Sequence, residues 1–251
     1  MKRKITEVRF RLRRYGLYTL TLLLLLAGVV YGMAAGRTLV HTAIERVDGI
    51  EELSEFGQVN ISYTLDTIRE KSEGGFPSYA EEAYDQLSEA CREADIIVLA
   101  EPTGKISFVS GTTETEVRIV KVLKGENEVE IGETYSTWFG SCITTDESGR
   151  NYYYDGYVNL MYPEYQYLIY AKASDFEMNG KKDLYLMGPL FSYMRVGDSP
   201  DTDVSLASLD LLSARKAEYM TIDPEVTIYL NGMKERIVDE TLGMSLIELS
   251  E

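Results

Sequence analysis

Apolar residues along this chain follow three different periods, and each predicts a different kind of element. From Tyr15 to Gly36 there is no period at all. These 22 residues carry no charge and include five consecutive leucines, Leu22 to Leu26. At the helical rise they reach about 33 Å, enough to cross a bilayer core. Beyond them, Val40, Ala43, Ile44 and Val47 recur at helical spacing, predicting a helical stalk or linker over 37–75 that ends at the Gly74-Gly75 breaker. Phe76 and Pro77 then open a second helix, with proline in the first turn where its missing N–H does no harm. Ala80, Ala83, Tyr84, Leu87, Cys91 and Ala94 give that helix one apolar face.

A change to strand-like patterns follows. Asp95 to Glu101 is a short apolar run of the buried-strand kind, and Lys105 to Val109 reads as a second strand. In Glu114 to Leu123, Thr115, Val117 and Ile119 share one face, after which Val120 and Val122 continue on the other. That change of phase predicts a bulge, a device that coils a strand around a small barrel. Glu133 to Phe139 and Tyr165 to Ala171 are further strands. Ile97, Val98, Val117, Ile119, Val122 and Ile169 form the expected core. After Arg195, Leu206, Leu209, Leu212 and Ala217 predict a helix. Val226 to Leu230, Asn231-Gly232 and Met233 to Val238 then read as a β-hairpin, because Asn-Gly between two strand-like runs is a strong turn signal.

Charge orients the apolar segment. Residues 1–14 hold seven Lys or Arg against one acid, Glu7, and such flanks stay on the cytoplasmic side, placing everything from Arg37 onward outside the cell. A cleaved signal peptide is the competing reading, but signal cores are usually about 7 to 15 residues, shorter than this one. The net charge of −16 for the whole chain puts −22 on residues 15–251. That surface repels phosphate backbones and excludes nucleic acid as a partner class. The expected organisation is a basic cytoplasmic segment (1–14), a transmembrane helix (15–36), the stalk (37–75), a helix with a barrel (76–195) and a C-terminal helix and β-hairpin unit (196–251). This is a single-pass membrane protein with a mainly β ectodomain, a small OB-type barrel and flanking helices.

Several pieces, in order, resemble the netrin-like module, the OB-type barrel of tissue inhibitors of metalloproteinases and of bacterial surface proteins. They are Cys91-Arg92-Glu93-Ala94-Asp95-Ile96-Ile97-Val98, the strand Val117 to Leu123 ending in Lys124-Gly125, Cys142, and Tyr167-Leu168-Ile169-Tyr170-Ala171-Lys172. The resemblance covers roughly Cys91 to Phe176. It implies a binding module on a bacterial cell surface. It departs from the inhibitors in lacking their N-terminal Cys-x-Cys wedge, and with the N-terminus across the membrane inhibition by that mechanism is not expected of the anchored form.

Candidate chemistry is sparse. Cys91 and Cys142, the two cysteines of the chain, lie on the oxidising side, where a disulfide between them and two separate buried thiols both fit. The resemblance implies that they are not each other's usual partners. His41 stands alone, so neither a triad nor a histidine zinc site follows. Ser213-Ala214-Arg215-Lys216 matches Ser-x-x-Lys without its companion motifs. Asp198, Asp201 and Asp203 lack the glycine and distal glutamate of an EF-hand. Neither metal nor cofactor is expected. Tyr152, Tyr153, Tyr154, Tyr157 and Tyr162 open a run of eight tyrosines within 19 residues; these supply either a contact surface or ordinary strand packing. The expectation is a non-catalytic, membrane-anchored interaction module. Its partners are the lipid bilayer through residues 15–36 and another envelope protein. An accessory subunit of a membrane complex is the alternative and an envelope hydrolase a distant third.

Overall fold

The computed structural model describes residues 49–63, 75–109, 112–140, 142–145, 152–155, 158–178, 181–188, 190–197, 209–221 and 224–249. The expected transmembrane helix 15–36, His41, Tyr157 and the aspartates 198, 201 and 203 lie outside the described residues. Among the described residues, no helix is long and apolar enough to cross a membrane.

Five strands close into a barrel: β2 (Ile96–Val109), β3 (Thr112–Lys124), β4 (Thr134–Phe139), β8 (Lys181–Leu186) and β7 (Tyr167–Met178). They pair in that order, and β7 returns to β2 through the antiparallel register from Ile96↔Ala171 to Ala100↔Tyr167. All contacts in the ring are antiparallel except β4 with β8, which is parallel. This closed five-stranded arrangement is compatible with an OB-type fold. A short strand β9 (Tyr193–Arg195) adds to β7.

The apolar run opening β2 is buried on both faces, each residue from Ile96 to Ala100 being at most 3% exposed. Val117, Ile119 and Ile169 are buried as expected, while Val122 is only half-buried. The phase change in β3 is a bulge: Leu99 and Ala100 face Lys121 and Ile119, leaving Val120 as the extra residue. The two strands expected over Asp95 to Val109 are one. It bends where Pro102 faces Val117 and Ile106 faces Thr115, so β2 carries a bulged excursion, Thr103 to Lys105, just after Pro102, which has no N–H for the ladder. The Lys-Gly that ends β3 also has a physical role. Lys124 Nζ donates to the carbonyl of Ala94, just past helix α1 (Gly75–Arg92). Gly125 sits at φ +91°, and a Cβ there would stand 2.8 Å from the Asp95 carbonyl oxygen.

A second sheet gathers segments that flank the barrel strands in sequence. Its order is β10 (Leu209–Asp210), β1 (Gln58–Tyr63), β6 (Tyr152–Asp155) and β5 (Cys142–Thr145), with β1 parallel to β6. The helical stalk is therefore corrected within the described part of 37–75. A 3-10 helix spans Ile50–Phe56, and β1 follows because Gln58 to Tyr63 alternates polar and apolar residues at period two. Between Leu209 and Ala217 the expected helix is likewise replaced, by β10 and a short 3-10 helix, Ser213–Lys216.

The C-terminal hairpin is corrected as well. Pro224–Leu242 is a single helix, α2, followed by the one-turn α3 (Leu246–Leu249). Val226, Leu230, Met233, Ile237 and Val238 are all buried, and the steps of four, three and four from Val226 to Ile237, with Val238 adjoining, make one face of a helix. Gly232 lies within it and costs about 1 kcal/mol relative to alanine, which that buried face offsets. Helix α2 meets α1 through Arg92–Glu240 at 3.1 Å and Arg236–Glu81 at 3.7 Å, and meets the barrel through Tyr170 Oη and Thr241 Oγ1, 2.7 Å apart.

Candidate functional site

Register on the barrel wall brings two rows of side chains together on the outer face of β3, β4 and β8. Glu116 lies opposite Ser136 and Ser136 opposite Asp183; two residues along, Glu114 lies opposite Trp138 and Trp138 opposite Tyr185. Alternation places both rows on one side of the sheet, while Thr115, Thr137 and Leu184 between them are buried toward the interior.

The first row is covered. Glu116, Ser136 and Asp183 are all buried, and the β2 excursion reaches Glu116 Oε1 with Thr103 Oγ1 at 2.9 Å and Lys105 Nζ at 3.0 Å. The second row is open. Glu114 and Trp138 are half-buried and Tyr185 is 67% exposed. Of the four large apolar side chains exposed among the described residues (Ile131, Tyr185, Ile228 and Ile247), Tyr185 alone is aromatic and alone lies on the barrel wall. Ser136 Oγ donates to Glu114 Oε1 at 2.6 Å, which fixes that carboxylate beside the indole without neutralising it. At the far end of the row, Lys172 lies opposite Tyr185 and is 3.9 Å from Glu93. The arrangement is a cross-strand row of a carboxylate, an indole and a phenol on the outer face of the barrel.

Sequence reasoning passed over this row because it read no strand in Lys181 to Leu186. The signal was present: Tyr185 between Leu184 and Leu186 is a period-two pattern that turns the tyrosine away from the core.

A second cluster is buried. Glu218 Oε2 accepts from Lys234 Nζ at 2.6 Å, and both side chains are almost fully buried. Glu218 Oε1 accepts from the Arg195 N–H at 2.8 Å, Lys234 Nζ also donates to the Arg195 carbonyl at 2.9 Å, and the Arg195 guanidinium stacks 4.3 Å from the Tyr165 ring centre. With its donors and acceptors turned on one another, the cluster ties α2 to the end of β9. No sequence signal joins these residues, since Lys234 is 16 positions from Glu218.

The expected tyrosine surface is corrected where side chains are described. Tyr154 and Tyr162 are buried, and their hydroxyls donate to the carbonyls of Val158 and Leu211, both at 2.7 Å. Tyr167, Tyr193 and Tyr219 are buried beside them, and burial pushes the phenol pKa of all five except Tyr154 upward. Tyr152 and Tyr153 stand on β6 in the second sheet.

Cys91 is a free, buried thiol whose Sγ donates to the Phe191 carbonyl at 3.7 Å, so the bond to Cys142 is not made. Cys91 ends α1, whereas Cys142 pairs with Asp155 in the second sheet. Burial pushes the Cys91 thiol up to about 12, against a small opposing pull from Arg92. In the Ser-x-x-Lys segment, the Ser213 hydroxyl donates to Asp210 Oδ2 at 2.9 Å and Arg215 faces Glu164 at 3.5 Å. Those contacts hold the short 3-10 turn in place and leave Ser213 hydrogen-bonded to a carboxylate. Among the described residues no group of three His, Cys, Asp or Glu side chains is placed to hold a metal.

No protein-family profile matches the chain, and no curated protein shows significant similarity to it.

Proposed function

We propose that this protein is a membrane-anchored extracellular binding module without catalytic activity. Its barrel is of the netrin-like kind, residues 15–36 hold it at the bilayer, residues 1–14 stay cytoplasmic, and its partner is another envelope protein. The observation that supports this most is the open row Glu114–Trp138–Tyr185 on the barrel wall. A half-buried indole beside an exposed phenol presents large, amphipathic contact area at low entropic cost. The charge asymmetry around Tyr15 to Gly36 supports the topology.

Crosslinking on intact cells that express the full chain tests the reading. A partner captured by the wild type should be lost with Tyr185→Ala. Capture that survives Tyr185→Ala but fails when residues 15–36 are replaced by an unrelated spanning helix would favour the accessory-subunit alternative. A C-terminal tag protected from protease added to wall-stripped cells would overturn the topology.

A further inference from the structure

We propose that the row Glu114–Trp138–Tyr185 receives an arginine side chain from a basic segment of the protein partner; this rests on the binding-module reading above. The faces of Trp138 and Tyr185 carry the negative lobe of the aromatic quadrupole, which attracts a cation lying over the ring. Glu114, opposite Trp138 in the register, adds a formal negative charge to the row. Its contact among the described residues is the Ser136 hydroxyl, not a cation.

The same chain satisfies this chemistry internally elsewhere. Arg236 stacks 4.1 Å from the centre of the Tyr84 ring and lies 3.7 Å from Glu81. A guanidinium, an aromatic face and a carboxylate thus make a complete set between α1 and α2. On the barrel wall the aromatic faces and the carboxylate are present, and the guanidinium is the missing member. Lys172, the cation at the far end of the row, is turned to Glu93.

Charge favours a cationic occupant over others. Residues 15–251 carry −22, a field that steers basic segments inward and repels phosphate, sulfate and acidic chains. Arginine fits better than lysine because its planar guanidinium stacks on a ring while donating in-plane hydrogen bonds to a carboxylate.

Trp138 is the single tryptophan of the chain, so its fluorescence reports on the row directly. The full chain in uncharged detergent should show a saturable change in emission with a tri-arginine peptide, weakening as salt is raised. Glu114→Gln keeps an acceptor for Ser136 but loses the charge, and should weaken binding roughly tenfold; Tyr185→Ala should weaken it by a similar factor. Tyr185 is exposed, so both variants should retain the wild-type melting transition. No response to tri-arginine, an affinity unchanged in Glu114→Gln, or an equal response to a neutral oligosaccharide would each overturn the proposal. The cell-surface crosslink separates the two levels. Its loss in Tyr185→Ala without tri-arginine binding would keep the module and reject the cation, whereas its persistence in Tyr185→Ala would reject the row as the contact.

Discussion

Removing either member of the buried Glu218–Lys234 pair should unfold much of the protein's stability margin, while removing both should cost little. The two side chains are 3% and 6% exposed and 2.6 Å apart. Breaking such a pair leaves an uncompensated buried charge, at about 3–5 kcal/mol. Glu218→Gln retains an acceptor for the Arg195 N–H but leaves the Lys234 ammonium with the Arg195 carbonyl as its remaining acceptor. Lys234→Met leaves the Glu218 carboxylate with the Arg195 N–H and no ammonium. Each single change should therefore cost about 4 kcal/mol, a large share of the roughly 5–15 kcal/mol that a domain possesses.

In the double variant no buried charge of the pair is left. What remains is the Lys234 hydrogen bond that the Arg195 carbonyl has lost, about 1–3 kcal/mol, against relief of the desolvation of two ions, so the double variant should lie within about 2 kcal/mol of the wild type. The expected coupling energy is then at least about 4 kcal/mol, and because the pair is buried, added salt should change it little. Urea denaturation of the full chain in uncharged detergent, followed by Trp138 emission and far-UV circular dichroism, measures all four corners. A single variant costing under about 1 kcal/mol, or a double variant equal to the sum of the singles, would refute the assignment of this pair as the buried lock between α2 and the barrel.

Gly125→Ala should destabilise the barrel by roughly 1–3 kcal/mol in the same urea assay, since its φ of +91° and the Asp95 oxygen 2.8 Å from the new Cβ both oppose a side chain. Cys91, with its thiol pushed up to about 12, should resist iodoacetamide at pH 8 in the folded protein and react once denatured; intact mass without reductant reads this, and a species two mass units lighter that resists alkylation after denaturation would show a disulfide instead. Glu101 is held below the usual carboxylate range first by the Gln166 hydrogen bond and then by that of Arg118. Its contribution is thus present above the unfolded pKa of about 4.3 and lost as pH falls through the lower folded value. Melting curves across that window should show Glu101→Gln less stable than wild type at neutral pH, the gap closing under acid.

The parts of the fold legible in the sequence are those whose burial is decided locally. The apolar run Ile96 to Ala100 had to be buried on both sides, and the phase change at Val120 had to be a bulge once the strand wrapped around a barrel. Helix α1 showed its face because Tyr84, Leu87 and Cys91 recur at steps of three and four, Tyr84 and Cys91 being buried and Leu87 half-buried. The C-terminal helix was misread because Asn231-Gly232 is a strong local turn signal. Five buried apolar residues at helical spacing outweighed it, and that gain exists only once the barrel is there to pack against. Strand β1 showed its period-two alternation in Gln58 to Tyr63, but it pairs with β6 and β10, far along the chain, and no local pattern announces such partners. The Glu218–Lys234 lock and the Glu116–Ser136–Asp183 row depend on register and docking, which composition does not encode.

The tyrosine-rich stretch shows why counting aromatic residues does not by itself locate a contact surface. Residues 158–166 link β6 to β7 without a regular strand ladder, yet Val158 to Tyr162 are buried. A buried irregular segment must find partners for its backbone polar groups outside any sheet. Here side chains supply many of them. Tyr154 and Tyr193 donate to the carbonyls of Val158 and Asn159, Tyr167 Oη accepts from the Tyr162 N–H, and Asn159 Oδ1 accepts from the Leu160 N–H. A phenol serves this purpose well, because its ring fills core volume while its hydroxyl reaches a carbonyl several ångströms away. Tyrosine enrichment in this connection is thus the signature of a buried loop being satisfied from within. The proposed contact row has the opposite property, an aromatic side chain exposed on a strand in line with a carboxylate, and that description fits Tyr185 in the row with half-buried Trp138 and Glu114 rather than Tyr154 and Tyr162.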